Sequence, residues 1–389
     1  MRLILRLFAI CTFENRNARM CARMDYMEQA ISLAKLAQGT VSPNPAVGAV
    51  LVKNGVVLGQ GFTQPPGLRH AEIVALDQAG ERARGSTLYV TLEPCCHYGN
   101  TPPCTEAIIT AGVSRVHMAM LDPNPLVNGK GRAELETAGI KTSVGKHETA
   151  VRQINEAYIK YISTGIPFIT VKIAMSLDGK IATASGDSRW ISNTESRQFA
   201  HTLRHFNDAI MAGVNTVLAD DPHLTSRFAC GRGGTGRRQP LRVIVDGRGR
   251  APHSARVFHE AGKTILAFGR HATAEEKKAF RALDTEIIEF PSHDNSIDLK
   301  ELLRTLGLRQ ITSVLVEGGG ILAGALFDQG LVDKAYVFIA PIIIGGQGRS
   351  AVVGKGANLL ADAFHLEKIA VTRFADDTLV SGYVAPKTV

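Results

Sequence analysis

The sequence predicts an α/β protein built from two domains. Its 389 residues suffice for two or three units that each bury a core. Segments with the 3.6-residue period of helices alternate with short β-branched runs typical of strands, in the first half of the chain and again in the second. A polar, glycine-containing stretch at residues 163–165 separates the halves, so we predict domains at residues 24–163 and 166–389.

The elements of the first half follow from local pattern. Residues 26–38 place apolar side chains three and four positions apart, as on one face of a helix. Two apolar runs flank Asn54-Gly55, a pair that tolerates the positive φ angles of a tight hairpin turn. The predicted strands are residues 47–52, 56–59, 88–91, 116–120 and 141–144, and the predicted helices are 26–38, 70–79, 105–111, 133–138 and 148–162. Together they describe a mixed sheet with helices on both faces.

One histidine and two cysteines of this half are spaced to bind a catalytic zinc ion. His70 and Glu72 open one predicted helix, Cys95 follows a strand, and Cys104 opens the next helix. Three protein ligands leave the fourth position of tetrahedral zinc to a water, whose pKa the metal lowers towards neutrality. A glutamate that is not a ligand, here Glu72, can then move protons to and from an amino-bearing ring. The set predicts hydrolytic deamination of a pyrimidine-type ring.

Other interpretations of these residues remain open at the level of sequence. The usual zinc-deaminase signature is H-x-E followed by P-C-x-x-C, whereas eight residues separate Cys95 from Cys104. Cys96 competes with Cys95 as a ligand, and a structural site of three cysteines and one histidine would leave Glu72 without a role. Six cysteines in the whole chain suggest no disulfide framework, which favours a reducing cytoplasm.

The motifs of the first half resemble the deaminase half of the bifunctional riboflavin-biosynthesis deaminase/reductase family. The resemblance rests on residues 42–50 (SPNPAVGAV), 70–72 (HAE) and 91–104 (TLEPCCHYGNTPPC), and the long cysteine spacing is normal in that family. It implies a cytidine-deaminase-like α/β/α domain. The residues to which it gives roles are His70, Cys95 and Cys104 as zinc ligands, Glu72 as the catalytic proton carrier, and Asn44 and His97 as substrate contacts.

The second half is similar to the reductase half of the same family. Residues 167–181 form an apolar run that leads into a polar loop, as at the start of dihydrofolate-reductase-like domains. Residues 188–191 (SRWI), 212–227 and 317–320 (EGGG) carry the rest of the resemblance. The three glycines lie between a predicted strand and a predicted helix, where backbone amides can approach a phosphate. They do not form the G-x-G-x-x-G pattern, so no Rossmann unit is predicted.

The resemblance implies a dihydrofolate-reductase-like domain that uses NADPH to reduce a ribosyl group to a ribityl chain. The implied cofactor contacts are Ala174, Trp190, Thr216, Asp220, Gly319, Gly320, Ile321, Leu322, Ala323 and Gly324. The implied substrate contacts are Ser188, Arg204, Leu224, Arg227 and Glu317. Two of these are arginines, whose forked guanidinium groups suit a substrate phosphate. Without the resemblance, the single tryptophan would be expected in the core.

The composition also permits functions besides that of this bifunctional enzyme. The formal net charge of +8 suits phosphate ligands as well as nucleic acid, and a nucleic-acid-editing deaminase would share the zinc motif. Such an enzyme would leave the second half without a role. The motifs are also consistent with a zinc-stabilised scaffold that has no activity, and with a deaminase whose reductase half is degenerate.

The predicted activity is zinc-dependent deamination of 2,5-diamino-6-ribosylamino-4(3H)-pyrimidinone 5′-phosphate, followed by NADPH-dependent reduction of its ribosyl group. We predict a cytoplasmic homo-oligomer that acts on this small molecule and has neither nucleic-acid nor membrane partners. No segment reaches 18 uninterrupted apolar residues, so no membrane span is expected. Residues 1–23 precede the resemblance, and we interpret them as a disordered extension or a misassigned start.

Overall fold

The computed structural model describes residues 25–99, 101–227 and 238–385, so the interpretation of residues 1–23 lies outside the described residues. The strands of the first half are β1 (Gly48–Lys53), β2 (Val56–Phe62), β3 (Thr87–Leu92), β4 (Arg115–Met120) and β5 (Lys141–Val144). The helices are α1 (Tyr26–Ala37), α2 (Ala71–Ala79), α3 (Cys104–Thr110), α4 (Lys130–Thr137), α5 (Glu148–Ile154) and α6 (Glu156–Thr164).

The five strands form one mixed sheet in the order β2-β1-β3-β4-β5. Strand β1 pairs antiparallel with both β2 and β3, whereas β3, β4 and β5 run parallel. Asn54 and Gly55 join β1 to β2 with φ angles of 52° and 78°, which are the positive values that the hairpin turn requires. The predicted mixed sheet is confirmed.

The prediction of one helix over residues 148–162 is wrong, because the chain breaks into α5 and α6 at Asn155. The buried Asn155 side chain turns away from the helix to the backbone of Ala46. Its Oδ1 accepts from the Ala46 N–H at 2.8 Å, and its Nδ2 donates to the Ala46 carbonyl at 3.1 Å. An asparagine that serves a neighbouring loop in this way competes with continuous helix formation.

The strands of the second half are β6 (Phe168–Ser176), β7 (Lys180–Ala182), β8 (Ala209–Gly213), β9 (Leu241–Asp246), β10 (Thr264–Phe268), β11 (Thr285–Glu289), β12 (Ser313–Glu317), β13 (Lys334–Ala340), β14 (Arg349–Ser350), β15 (Leu366–Phe374) and β16 (Asp377–Val384). The helices are α7 (Thr194–Phe206), α8 (Val214–Asp220), α9 (Ala274–Arg281), α10 (Leu299–Leu308) and α11 (Gly320–Asp328).

Nine of these strands form one sheet in the order β11-β10-β9-β8-β12-β6-β13-β16-β15, and β7 pairs with β14. The strands from β11 to β13 are parallel, and β16 and β15 add an antiparallel edge. Alternate residues of β8 enter different cores: Ala209 and Met211 pack on one face, and Ile210 and Ala212 on the other. Both faces of the parallel part are therefore buried.

The two halves contact each other through α6 and the second sheet. Lys160 Nζ lies 2.6 Å from Asp333 Oδ2, and Lys334 Nζ lies 2.8 Å from Glu156 Oε1. Tyr161 Oη donates to the Gly307 carbonyl at 3.1 Å. Among the described residues, no helix is long and apolar enough to cross a membrane.

A methyl group at Gly307 is expected to destabilise the protein. Glycine to alanine inside a helix normally stabilises by about 1 kcal/mol. At Gly307, however, a Cβ would stand 1.9 Å from the Gly165 carbonyl oxygen at the junction of the halves. We expect Gly307→Ala to lower the free energy of unfolding by about 1–3 kcal/mol, as overpacking does. Urea denaturation followed by circular dichroism measures this change.

Gly213→Ala is the matched control, because the nearest atom to its new Cβ lies 3.8 Å away, an ordinary contact. We expect it to stay within about 0.5 kcal/mol of the wild type. A Gly307→Ala protein as stable as this control would contradict the close packing of α10 on the chain junction.

Candidate active sites

Three strand ends meet at one edge of the first sheet. Gly48 at the start of β1 lies opposite Phe62 at the end of β2, and Ala49 lies opposite Val90 near the end of β3. The segments that follow β2 and β3 therefore emerge beside the segment that precedes β1. They carry His70, which is the N-cap residue of α2, and Cys95.

The donor atoms of His70, Cys95 and Cys104 form a compact cluster, all within 4.8 Å of one another. His70 Nδ1 lies 3.2 Å from Cys104 Sγ and 3.6 Å from Cys95 Sγ. The Cys104 backbone N–H also donates to Cys95 Sγ at 3.4 Å. One imidazole and two thiolates on a partly buried surface are a donor set that fits zinc with a fourth position left for a small molecule.

The charges of the cluster favour metal binding and proton transfer. Hydrogen bonds from Cys104 and His70 lower the pKa of Cys95 to about 4, so that this thiol ionises readily. Burial raises the pKa of Glu72 to about 7. Glu72 is 4% exposed and shares a hydrogen bond with Cys104. A carboxyl that titrates near neutrality beside a zinc-type cluster is suited to general acid–base chemistry.

Cys96 lies apart from this cluster. Its Sγ is 3.8 Å from the Leu126 carbonyl oxygen, and the donor cluster contains Cys95 in its place. His97 has a buried Nδ1 that no described residue satisfies, and such an atom is available to a ligand. Asn44 lies in the loop before β1, at the same sheet edge as the cluster.

The sequence interpretation missed Glu93, which holds the segment beside Cys95 in place. The buried Glu93 carboxylate accepts backbone N–H groups from Asp122 at 3.2 Å, Gly129 at 2.9 Å and Arg132 at 2.9 Å. An acidic residue at the end of an apolar strand, directly before Pro94 and Cys95, was the available signal.

In the second half, two of the expected reductase residues form an ion pair at the carboxyl end of β12. Glu317 ends β12 and binds Arg204 of α7 through two hydrogen bonds, from Nε to Oε1 at 2.6 Å and from Nη2 to Oε2 at 2.8 Å. Arg204 Nη1 also donates to the Thr225 carbonyl at 3.0 Å. The structure thus joins two of the expected substrate contacts in one buried, bidentate ion pair.

A second group forms around α8. Ser188 Oγ donates to Asp220 Oδ1 at 2.9 Å, and Thr216 Oγ1 accepts from the Gly319 N–H at 2.8 Å. Gly318 has a φ of 103°, and a Cβ there would stand 2.4 Å from Thr216 Oγ1. The glycine turn therefore packs directly against Thr216, where a side chain would not fit, beside the first turn of α11.

Other expected reductase residues differ in their surroundings. Trp190 is 70% exposed, with the Arg197 guanidinium 4.6 Å from its ring centroid, so it is not a core residue.

Leu322 and Ala323 pack into the core, and Gly324 lies against the Val353 backbone. For these three residues, the surrounding packing already explains the residue type. Ala174 lies in β6, and Gly320 and Ile321 begin α11. Leu224 is buried, whereas Arg227 is exposed.

Comparison with known proteins agrees with both sites. Residues 20–120 match the cytidine and deoxycytidylate deaminase zinc-binding region, and residues 167–380 match the RibD C-terminal domain. The Riboflavin biosynthesis protein RibD of Aquifex aeolicus is 42% identical over 357 residues, which are 92% of this chain and 97% of that protein. The protein of the same name from Escherichia coli K12 is 42% identical over 345 residues, 87% of this chain and 93% of its own.

The chain belongs to the RibD family. Acinetobacter baumannii RibD has a solved structure that is 37% identical, covers 93% of this chain and 98% of its own, and superposes with a TM-score of 0.84. A deaminase/reductase structure from Thermotoga maritima is 34% identical, covers 92% and 98%, and gives a TM-score of 0.80. These likenesses confirm the predicted combination of a cytidine-deaminase-like domain and a dihydrofolate-reductase-like domain.

This RibD family member is therefore a bifunctional deaminase and reductase of riboflavin biosynthesis, with Zn2+ and NADPH as cofactors. The same findings do not favour the nucleic-acid-editing alternative, because the second half matches a reductase domain throughout.

One further charged residue, next to the Glu317–Arg204 pair, escaped the sequence interpretation. Lys172 of β6 stands opposite Glu317 in the register of β12, with its Nζ 5.5 Å from the Phe338 ring centroid. Burial lowers the pKa of Lys172, whereas the charge of Glu317 raises it. A lysine within an otherwise apolar strand was the signal for this position.

The Glu317–Arg204 pair predicts an acid-dependent loss of stability. Burial raises the pKa of Glu317, but Arg204 outweighs it and lowers the pKa to about 2, from an ordinary value of 4.5. Because the folded pKa is depressed, the stabilisation is present above pH 4.5 and disappears as the pH falls through about 2. By linkage, roughly 2 kcal/mol is lost between pH 7 and pH 3.

We expect Glu317→Gln, which lacks this titration, to lose about 2 kcal/mol less than the wild type over the same interval. Urea denaturation at pH 7, 4.5 and 3 measures the difference. Glu286→Gln is the control, because its ion pair with Arg309 is largely exposed. If the wild type and Glu317→Gln lose the same free energy of unfolding in acid, the depressed pKa of Glu317 is contradicted.

Proposed function

We propose that His70, Cys95 and Cys104 hold the zinc ion of the deaminase site and that Glu72 carries its protons. Zinc bound there supplies an acidified water as the nucleophile. The observation that carries the proposal is the compact cluster of three donor atoms, with the buried Glu72 carboxyl in hydrogen-bond contact with it. Neither a structural zinc site nor a scaffold would need this group.

Glu72 performs the proton transfers of the hydrolysis. Its carboxylate takes a proton from the attacking water and delivers it to the ring nitrogen, and a second transfer lets the amino group leave as ammonia. Asn44 and His97 bind the pyrimidine, since both lie by this sheet edge and the buried Nδ1 of His97 has no partner among the residues that the structure describes.

The substrate that we propose is 2,5-diamino-6-ribosylamino-4(3H)-pyrimidinone 5′-phosphate. The related Thermotoga protein is named a diaminohydroxyphosphoribosylaminopyrimidine deaminase and 5-amino-6-(5-phosphoribosylamino)uracil reductase. Identity of 34% over nearly the whole chain, together with both sites, supports the same pair of reactions here.

In the reductase half we propose that NADPH lies across the carboxyl ends of β8 and β12. NADPH supplies the hydride for the ribosyl C1′. The glycine turn that begins α11 and the exposed face of Trp190 contact parts of the cofactor. The remaining proposed cofactor contacts are Ala174, Thr216, Asp220, Gly319, Gly320, Ile321, Leu322, Ala323 and Gly324. The proposed substrate contacts are Ser188, Arg204, Leu224, Arg227 and Glu317.

Mass analysis of the product tests both activities. We expect the wild type to replace one amino group by oxygen without NADPH, and to add two hydrogens only with NADPH. Glu72→Gln should lower the deamination rate by about 10²–10⁴-fold, because it removes the proton carrier. It should retain one zinc per chain and still reduce the deaminated intermediate. Zinc content by atomic absorption completes the measurement.

Glu106→Gln is the matched control, because Glu106 is an exposed carboxylate of α3 that binds Tyr98 rather than the donor cluster. Unchanged deamination by Glu72→Gln would refute the proton-transfer role. A wild type that deaminates the substrate but adds no hydrogens with NADPH would indicate a degenerate reductase half.

We also propose that the protein is a cytoplasmic homo-oligomer. The thiols of the donor cluster are free, as a reducing compartment keeps them. β15 is the edge strand of the second sheet, and its Ile369 and Val371 are 59% and 65% exposed. An exposed apolar edge of this kind is what a second copy of the chain would cover.

Ile369→Lys should shift the assembly towards the monomer, because a buried charge opposes association. Light scattering coupled to gel filtration measures the mass. Lys368→Ala, at the neighbouring position of the same strand, serves as the control. A monomeric wild type, or an unchanged mass of Ile369→Lys, would contradict this interface.

A further inference from the structure

The loop that carries Asn44, residues 41–46, is fixed at two points by side chains from outside it. At one end, Asn155 binds both backbone groups of Ala46. At the other end, Ser42 Oγ donates to Asp208 Oδ2 at 2.6 Å. Asp208 belongs to the reductase half, between α7 and β8, so this contact spans the two halves of the enzyme.

Asp208 is a rigid acceptor. Its carboxylate is 3% exposed, and Arg238 Nη2 donates to Oδ1 at 2.8 Å. Oδ2 accepts from both the backbone N–H and the hydroxyl of Thr312, each at 2.8 Å. Three hydrogen bonds from two residues hold the carboxylate still, and a hydrogen bond to an ionised acceptor is stronger than one between neutral groups. The Ser42 end of the loop therefore takes its position from the reductase half.

The fixed loop leads directly to the deaminase site. It ends two residues before β1, whose first residues lie opposite the ends of β2 and β3. His70 and Cys95 follow those two strands. A shift of the loop at Ser42 would therefore move Asn44 relative to the donor cluster while leaving the ligands themselves in place.

We propose that Asp208 is a positioning residue for deamination, which acts through Ser42 on the loop that presents Asn44 to the pyrimidine. This inference rests on the proposed function of Asn44. It makes the reductase half a structural part of the deaminase site, independent of hydride transfer. A contact that merely joined the halves would contribute to stability without any selective effect on the deaminase substrate.

Ser42→Ala in the full chain tests the proposal, because it removes the bond to Asp208, together with a longer contact of Ser42 Oγ to Thr312 Oγ1 at 3.2 Å. Arg238 and Thr312 keep their own bonds to Asp208. Without NADPH, we expect KM for deamination to rise by about tenfold, as the loss of a charged hydrogen bond allows. We expect kcat to fall less than threefold, zinc to remain bound, and reduction of the deaminated intermediate to keep its wild-type rate. Ser42→Thr, which retains the hydroxyl, should restore most of the wild-type KM.

Thr40→Ala is the matched control, since the Thr40 hydroxyl makes a local bond, to the Ala37 carbonyl at 2.9 Å, and no other within the described parts of the chain. Asp208→Asn also weakens the bonds to Arg238 and Thr312, so we expect it to raise KM at least as much. Adding Ser42→Ala to it should have little further effect on KM, because the Ser42–Asp208 bond is already weakened. If Ser42→Ala does not accumulate, Ser42→Cys is measured by the same criteria.

A KM for Ser42→Ala within twofold of the Thr40→Ala value would overturn the proposal. So would a parallel loss of zinc, deamination and reduction, which would indicate general destabilisation. A wild type that binds zinc but does not deaminate would instead refute the proposed function itself.

Discussion

The pairing of β1 with its two neighbours determines where the deaminase groups meet. A slip of one residue would turn every side chain of β1 to the other face of the sheet and displace the loop before it. Close helix packing protects this register. A Cβ at Gly48 would stand 1.9 Å from the Ala30 carbonyl oxygen, and one at Gly59 would stand 2.0 Å from that of Ala75. Helices α1 and α2 therefore pack directly against the strands. The close approach of α2 to the sheet determines where His70 and Glu72 lie.

In the reductase half, the main constraint is the presence of charged side chains next to a buried parallel sheet. Arg204 and Glu317 are both largely removed from water, and each would be costly there alone. Their bidentate geometry and the nearby Lys172 make the arrangement tolerable, because every charge faces an opposite one. Glu317 stands at the carboxyl end of β12, and ligands bind at such strand ends in open α/β sheets. The two residues of this ion pair are therefore also among the substrate contacts that we propose.

Local sequence was enough for most elements and for the donor cluster. The turn at Asn54-Gly55 and the helix starts at His70 and Cys104 depend on neighbouring residues, so their patterns are readable. The break at Asn155 was not, since it depends on a backbone group more than a hundred residues away. Glu93 and Lys172 escaped for the same reason: their partners become neighbours only when the strands assemble. The pairing of Arg204 with Glu317, 113 positions apart, likewise has no local signature.

The junction at α6 has a consequence for any exchange of parts between related enzymes. Asn155 holds the loop of the deaminase half, and the adjacent Glu156 forms an ion pair with Lys334 of the reductase half. A chimera joined at residues 163–165 would keep the sequence of each half uninterrupted. It would nevertheless bring together a helix and a sheet that had never been matched at Glu156, Lys160 and Tyr161. The recombination unit of this enzyme is thus the pair of halves with its shared contacts, and a successful graft must carry those positions across as a block.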